Sequence, residues 1–504
     1  MVAWVHTITF NGIEVLPVDV QVQISAGLPA FTIVGLADKA VVESRERVRA
    51  CFQALALDIP PKRITVNLAP ADLQKEGSHF DLPIAIGLMV AMNIIDQEDL
   101  TSFLVIGELA LDGSLAQVTG TLLAAIEAHS QNRGLICPAI CAHEAIWAGN
   151  IDLLAAPTLI SIINHFKGTQ VLSPPNISFP LEPIPTFPNL KDIKGQMLAK
   201  RALEITAAGG HNLLMIGPPG AGKSMLADRL PGILPPLTPQ ESLDVTMIHS
   251  LSGCLPKEGL VRFPPFRDPH HSASVPALIG GGHKCKPGEV SLAHHGVLFL
   301  DELPEFQRPA LEALRQPLET GKVVIARANS HTTFPAQFQL IAAMNPCRCG
   351  YYGDPSRSCS RMPHCAQDYQ SKISGPLLDR FDLVIDVPEI PAEDLISPQE
   401  CESSATVALR ILQARHHQLH RYQDFSSTPL LNARIDSELL QKVVHLKDET
   451  QQLLLHALQK FKISGRGYHR ILRVARTIAD LSNSDQIDKS HVAEALNFRR
   501  ITYS

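Results

Sequence analysis

This sequence predicts a multidomain chain that combines α/β and α+β folding, and three observations carry the prediction. Residues Gly217-Pro218-Pro219-Gly220-Ala221-Gly222-Lys223-Ser224 form a glycine-rich loop directly after the apolar run Asn212–Ile216. From Asp192 to about Pro391, apolar strand-like runs alternate with helical patterns, which calls for a parallel sheet covered by helices. The 504 residues exceed what one hydrophobic core serves, so roughly two to four domains are expected.

Composition sets the outer bounds. Hydrophobic content of 45% and charged content of 19% exclude wholesale disorder. A net charge of −6 gives no global attraction to nucleic acid, so any such contact must come from a local patch or a lined channel. The start, Met1-Val2-Ala3-Trp4-Val5-His6, lacks the basic and apolar regions of a secretory signal. The most apolar stretch, Leu82–Ile95, is broken by Pro83, Gly87 and Asn93 and falls short of a membrane span. The expectation is a cytoplasmic protein with no membrane partner, in which ten cysteines are no disulfide framework and a local cluster of them signals metal.

Along the chain, residues 1–165 mix β alternation (Val15–Ile24, Arg63–Leu68) with a helical pattern (Lys39–Leu55). Residues 166–190 are proline-rich from Ser173 to Pro188 and read as a linker, because proline continues neither a helix nor a central strand. Residues 191–391 hold the strands Leu213–Ile216, Val297–Leu300, Gln339–Met344 and Leu383–Val387, and residues 392–504 are helical in pattern without strand signals.

The chemistry is concentrated in 191–391. Three phosphates crowd negative charge into a small volume, so a loop that cradles them needs inward backbone N–H groups and the tight turns that glycine allows. Gly217 to Ala221 and Gly222 would supply that cradle for ATP, Lys223 would reach the β- and γ-phosphates, and Ser224 would hold Mg²⁺. About 75 residues on, the apolar run Val297–Leu300 ends in Asp301 and Glu302. A parallel strand delivers its last residues to the ligand crevice, where Asp301 would support Mg²⁺ and Glu302 would polarise an attacking water. The run Leu340–Met344 ends at Asn345, placed to hold that water in line. Arg380, in Gly375–Asp382, offers an always-charged guanidinium for the transition state, usually from a neighbouring subunit. Arg466 opens a basic helical stretch and would reach the nucleotide, while Arg470, Arg473 and Arg476 read as a solvated face or a nucleic-acid contact.

Together these motifs resemble the AAA+ ATPases, and specifically the magnesium-chelatase-like ComM/YifB family. The resemblance covers nearly the whole chain, from Gly27–Leu36 through Gly217–Ser224, Phe299–Leu303, Met344–Cys347 and Gly375–Asp382 to Tyr468–Arg476. It implies a homo-oligomer, a hexameric ring ATPase, and a DNA helicase that drives branch migration of single-stranded and branched DNA during natural transformation, beside a recombinase. It also implies an AAA+ domain followed by a C-terminal helical lid of the magnesium-chelatase type.

Two further segments bear on DNA. Glu319–Phe334 alternates like an inserted hairpin and is similar to the pre-sensor hairpin of MCM helicases, which gives Lys322 or Arg327 the part of a DNA-contacting residue. A glycine-rich excursion, His270–Lys284, reads as another pore loop. Cys347, Cys349, Cys359 and Cys365 gather within some twenty residues, as a structural Zn²⁺ site requires.

Residues Lys75–Asp81 and Gly107–Ala125 resemble the proteolytic domain of Lon proteases, but that pattern puts His79 at the serine position and Leu122 at the lysine position. Serine attack needs a hydroxyl and a nearby base, so the block is expected to be inactive and to serve assembly or docking; Ser78 lies one residue displaced. The alternative function is a metal-chelatase-type ATPase acting on a protein partner and a porphyrin. The resemblance makes residues 1–165 the feature that such a motor subunit normally lacks.

Overall fold

The computed structural model describes residues 2–174, 185–256, 259–282, 285–327, 330–352, 357, 360–361, 363–391, 401–425, 430–461 and 463–499. The backbone of Arg327 is described and its side chain is not; Cys359 and Lys462 lie outside the described residues.

The chain opens with the hairpin β1 (Val2–Asn11) and β2 (Glu14–Ser25), followed by β3 (Ala30–Val34), β4 (Arg63–Ala69) and β5 (Phe103–Val105). A short ribbon, β6 (Glu108–Leu109) with β7 (Leu115–Ala116), precedes β8 (Gly134–Pro138) and β9 (Leu153–Ala156). Seven of these strands form one mixed sheet in the order β3-β4-β2-β1-β5-β8-β9. Alternation decides which face is covered: Val18, Val20 and Val22 of β2 are buried while the residues between them are not. The apolar stretch after Asp81 becomes the helix Asp81–Ala91, buried from Asp81 to Val90, which is the behaviour of a core helix that is hydrophobic all round. Among the described residues no helix is long and apolar enough to cross a membrane.

The second sheet is built from β10 (Leu213–Ile216), β11 (Phe266–Arg267), β14 (Val297–Leu300), β17 (Gln339–Met344) and β18 (Leu383–Asp386), in the order β11-β14-β17-β10-β18. All its pairings are parallel. β10, β14 and β17 are buried at every residue because both faces are covered. Leu213 and Met215 enter one core while Leu214 and Ile216 enter the other. Between β11 and β14 lies the ribbon β12 (Gly280–Gly281) with β13 (Lys286–Pro287). Between β14 and β17 lies the hairpin β15 (Lys322–Arg327) with β16 (Ser330–Pro335).

The C-terminal helices Ser404–Tyr422 and Gly465–Leu481 share one core with the helix Met197–Gly209. A buried polar network fixes them in place. Asn432 accepts from the Tyr422 hydroxyl at 2.6 Å and donates to Thr477 at 3.0 Å and to Asp480 at 2.8 Å. Fully satisfied networks of this kind specify one arrangement of the helices. Arg476, expected on a solvated or DNA-facing surface, is 1% exposed: its guanidinium donates to Asp480 and to the Asp485 and Ser484 carbonyls. Asp480 is four residues on in the same helix, and the two carbonyls belong to the turn that follows it, which spacing alone does not reveal.

The first sheet and the parallel-sheet region touch at several points. Asn11 and Gly12, in the β1–β2 turn, meet β16: the Thr332 hydroxyl donates to Asn11 Oδ1 at 2.9 Å, and a Cβ on Gly12 would stand 2.6 Å from the Thr333 carbonyl oxygen. Elsewhere the buried Glu144 accepts from the Leu122 N–H at 3.0 Å and from the Ser250 hydroxyl. Burial holds its carboxyl above the usual range.

Candidate active site

The glycine-rich loop leaves the end of β10 and enters the short helix Lys223–Ala227. Gly217 has no room for a side chain, since a Cβ would lie 2.1 Å from the Val387 carbonyl oxygen. Gly220 and Gly222 are required for a different reason: their φ values of +78° and +88° lie in the left-handed region. Inside the turn, the Lys223 ammonium donates to the Gly217 carbonyl at 2.7 Å, the Pro218 carbonyl at 2.8 Å and Asn345 Oδ1 at 3.2 Å. Burial lowers the lysine's pKa, against the opposing pull of Asp301 and Glu302.

Three strand ends meet here. β10 pairs with β17 and β17 with β14, all parallel, so Gly217, Asn345 and Asp301 emerge at the same edge. The Ser224 hydroxyl donates to Asp301 Oδ2 at 2.7 Å. Glu302 follows in left-handed backbone, φ +50°, and its N–H donates to Asp301 Oδ1 at 2.8 Å. Asp228 and Asp268 feel the charge of Asp301: burial raises both carboxyls and Asp301 adds to the rise, while Arg229 opposes it at Asp228. A hydroxyl and a cluster of mutually repelling carboxylates beside a phosphate-shaped loop form a donor set that fits Mg²⁺.

Asp268, and His271 with its Nδ1 3.6 Å from Glu302 Oε2, were not singled out for this position from the sequence. The signal that would have found them is the strand-end rule applied to β11, but a strand of two residues leaves no periodicity to read.

Arg380 stands elsewhere. β18 pairs in parallel with β10, Leu213 beside Leu383 and Ile216 beside Asp386. Arg380 precedes β18, so it sits where β10 begins, at the edge of the sheet opposite the glycine-rich loop; the Asn212 amide donates to its carbonyl at 2.9 Å. Its guanidinium donates to Glu319 at 2.9 Å and to the Pro376 carbonyl at 3.0 Å.

Arg466 lies with Arg380 and not with the loop. Both line a cavity of about 880 Å³ that also takes Arg434, Arg470 and Arg473 and includes no residue from Gly217 to Ser224. Arg470 pairs with Asp382 at 3.6 Å, and burial lowers the pKa of both Arg470 and Arg473, so these two belong to this cavity and not to a solvated face.

The hairpin register separates the two expected DNA residues. Lys322 pairs with Pro335 at the open base and lines the arginine cavity, whereas Arg327 pairs with Ser330 at the tip. Lys322 thus stands at the base of the hairpin and is exposed, while Arg327 stands at its tip. The glycine-rich excursion forms the helix Val275–Ile279 and the β12–β13 ribbon, with residues 283–284 outside the described residues.

Cys347 and Cys349 hold their sulfurs 3.0 Å apart, and Cys365 offers a third within 4.8 Å of each. Burial and the neighbouring thiol push Cys347 up to about 11. The cluster sits against the glycine-rich loop, because a Cβ on Gly350 would stand 2.7 Å from Pro219 Cδ. Three convergent thiols fit Zn²⁺.

In the first sheet, His79 is 7% exposed, its Nε2 bonds the Ile8 carbonyl at 3.0 Å, and burial lowers its pKa to about 4. The Ser78 hydroxyl donates to Glu108, and the fully buried Lys75 donates to the Pro70 carbonyl. Leu122 contributes its backbone N–H to Glu144. No serine–lysine pair forms among these described residues.

Three family models match. One described as magnesium chelatase, subunit ChlI, covers 189–395; one described as subunit ChlI of Mg-chelatase covers 20–140; and the ChlI C-terminal model covers 401–499. The chain is 44% identical over 503 residues to the competence protein ComM of Haemophilus influenzae, covering 99% of this chain and 97% of that one. It is 43% identical over 501 residues to the protein YifB of Salmonella typhimurium, with the same coverage. Against the magnesium-chelatase 38 kDa subunit of Rhodobacter capsulatus it is 26% identical over 243 residues, 45% of this chain and 61% of that one.

Proposed function

Because this chain belongs to the magnesium-chelatase-like ComM/YifB family of AAA+ proteins, we propose that it is an ATP-driven DNA motor that promotes branch migration, working as a hexameric ring. Family membership implies ATPase activity. The observation that carries the reading is the assembly of Lys223, Ser224, Asp301, Glu302 and Asn345 at one edge of a parallel sheet, with Ser224 and Asp301 joined at 2.7 Å. The domains proposed are an inactive Lon-like unit at 1–165, a linker at 166–190, an AAA+ unit at 191–391 and a helical lid at 392–504.

In this reading the loop N–H groups and Lys223 hold the β- and γ-phosphates, and Asn345 orients the attacking water. Glu302 takes the proton from that water. Ser224 and Asp301 would hold a Mg²⁺, which would supply charge neutralisation at the phosphates. Arg380 and Arg466 serve the nucleotide of the adjacent subunit, since both lie at the opposite sheet edge. Cys347, Cys349 and Cys365, with Cys359 as the fourth ligand expected from the sequence, would hold a Zn²⁺, which would brace the loop behind Asn345. The hairpin tip around Arg327 meets DNA, and the name of the competence protein is what favours DNA over other polymers. A cytoplasmic location and action beside a recombinase follow from that role.

ATP hydrolysis and three-strand branch migration, measured on one preparation with and without single-stranded DNA, test the proposal. Lys223→Ala abolishes both, and Glu302→Gln binds ATP without turning it over. Branch migration by Lys223→Ala would refute it.

A chelatase-type ATPase acting on a protein partner is the second reading, favoured by the descriptions of the three family models. Residues 1–165 do not separate the readings as expected, because a chelatase-named model covers 20–140. Coverage separates them better, with 99% of this chain aligned to ComM and 45% to the chelatase subunit. ATPase that answers to a protein partner and not to DNA would favour the chelatase reading.

A further inference from the structure

A second cavity, of about 500 Å³, lies where the first sheet meets the β12–β13 ribbon and the β15–β16 hairpin. Phe10, Asp38 and Glu108 line it on one side, and Lys286, Thr332 and Phe334 line it from β13 and β16. Ligand sites favour junctions of this kind, and the volume falls in their usual range. None of its described lining residues belongs to the glycine-rich loop or to 301–302, so it is separate from the nucleotide site.

The polar groups of this cavity are mostly acceptors. Asp38, Glu76 and Glu108 bring three carboxylates to it. Asp38 caps the helix Lys39–Ala54 by accepting from the Val41 N–H at 2.8 Å, and Glu108 accepts from the Ser78 hydroxyl. Each keeps lone pairs to offer, because a carboxylate has about four acceptor positions. Among the described lining residues Lys286 is the only lysine or arginine, and it is exposed. Arg47, whose charge reaches Glu108, is committed to Asp81 through bonds of 2.6 and 2.9 Å.

His79 adds an acceptor of a different kind. Its Nε2 bonds the Ile8 carbonyl, so Nε2 carries the proton and Nδ1 is left with a bare lone pair. That nitrogen has no partner among the described residues, although His79 is only 7% exposed. Gly77, another lining residue, keeps it uncovered: a Cβ there would stand 3.0 Å from Nδ1. Burial lowers the ring's pKa to about 4, so the lone pair persists at neutral pH. A buried acceptor without a donor costs free energy, which an incoming N–H recovers.

We propose that this cavity binds a guanidinium group, held by Asp38 and Glu108, with His79 Nδ1 as a further acceptor and Phe10 as a stacking face. A guanidinium carries five N–H donors and no acceptor, the complement of this lining. Its planar fork takes a carboxylate side by side while its face packs on an aromatic ring; an ammonium has three donors and no flat face. The group arrives on a free small molecule or on the arginine side chain of a peptide. Once bound, it touches the first sheet and the hairpin together and ties one to the other.

Isothermal titration of the full chain with agmatine, with glycyl-arginyl-glycine and with the citrulline counterpart of that peptide tests the site. The expected result is saturable binding of one guanidinium per chain and no binding of citrulline, whose urea keeps the shape without the charge. Agmatine that binds as tightly as the arginine peptide assigns the site to a free small molecule; a tighter peptide assigns it to an arginine side chain. Glu108→Gln and Asp38→Asn keep the Ser78 contact and the helix cap while removing a charge. Each is expected to weaken binding at least about tenfold, the scale of one charge-assisted hydrogen bond. Lys223→Ala should bind as the parent does, which separates this cavity from the carboxylates at the nucleotide loop. Hydrogen exchange of residues 322–335 should slow on saturation. No saturable binding by either guanidinium ligand, equal affinity for citrulline, or parental affinity in both carboxylate variants overturns the proposal, and so do lost binding in Lys223→Ala and exchange that the ligand leaves unchanged. The citrulline comparison uses the parental chain, so the result stands whether or not a variant folds.

Discussion

Thr332 donates its hydroxyl to the Asn11 carboxamide oxygen at 2.9 Å, which ties the inserted hairpin to the turn between the first two strands of the chain. The two residues are 321 positions apart, and Thr332 is 4% exposed. The first sheet thus acts as a seat for the element assigned to DNA, a role consistent with its lack of a serine–lysine pair.

Disturbing that seat should loosen the hairpin and leave nucleotide binding intact. Gly12→Val places a Cβ 2.6 Å from the Thr333 carbonyl oxygen at a φ of +69° that a β-branched residue resists. Asn11→Ala leaves the buried Thr332 hydroxyl without its acceptor, a loss of about 1 kcal/mol. Hydrogen exchange of residues 322–335 is expected to accelerate in both variants while ATP affinity stays at the parental value. Unchanged exchange would show that other contacts hold the hairpin.

Arg380→Ala is expected to bind ATP normally and to lose about 10³-fold in turnover, the scale of an arginine that meets transition-state charge on phosphate. Mixing it with Lys223→Ala provides the sharper measurement. Each subunit keeps what the other lacks, so mixed rings recover a fraction of the parental rate. If Arg380 acted within its own chain, mixing would recover nothing.

For the thiol cluster, metal analysis of the purified full chain should find about one zinc per chain. Cys347→Ser and Cys365→Ser should each remove it. Because Gly350 packs on Pro219, loss of the metal is expected to weaken ATP binding as well. Metal-free protein with parental ATP affinity would argue that the cluster is a set of reduced thiols.

Acid should destabilise the first sheet through His79. Its folded pKa is depressed to about 4 by burial, below the roughly 6.5 of an unfolded histidine. Between those values the unfolded chain binds more protons, so stability rises with pH; the contribution is fully present above about 6.5 and lost as pH falls toward 4. Full loss is worth about 3 kcal/mol. In denaturant titrations, His79→Gln should flatten that part of the pH profile, and an unchanged slope would assign it to other groups.

Much of the architecture was legible because parallel strands are apolar throughout and end in their chemistry. Leu213–Ile216, Val297–Leu300 and Gln339–Met344 read as strands from the sequence and occupy those spans, each delivering Gly217, Asp301 or Asn345 to one edge. Strand β11 escaped because two residues have no period, and His271 escaped with it. Arg476 misled for another reason: a run of arginines suggests a solvated face, but this one pairs with Asp480 four residues on in the same helix and with the carbonyls of Ser484 and Asp485, in a turn the spacing does not announce. The seat at Asn11 rests on a contact between distant segments, which no local pattern encodes.

A parallel strand has a front and a back, and β10 with β18 puts the phosphate loop at one and Arg380 at the other. On the proposed reading, that polarity makes ATP hydrolysis a collective property. A lone subunit would carry both halves of the machinery pointing in opposite directions, so dilution alone should silence it, and each subunit's hydrolysis would become an event its neighbour must permit.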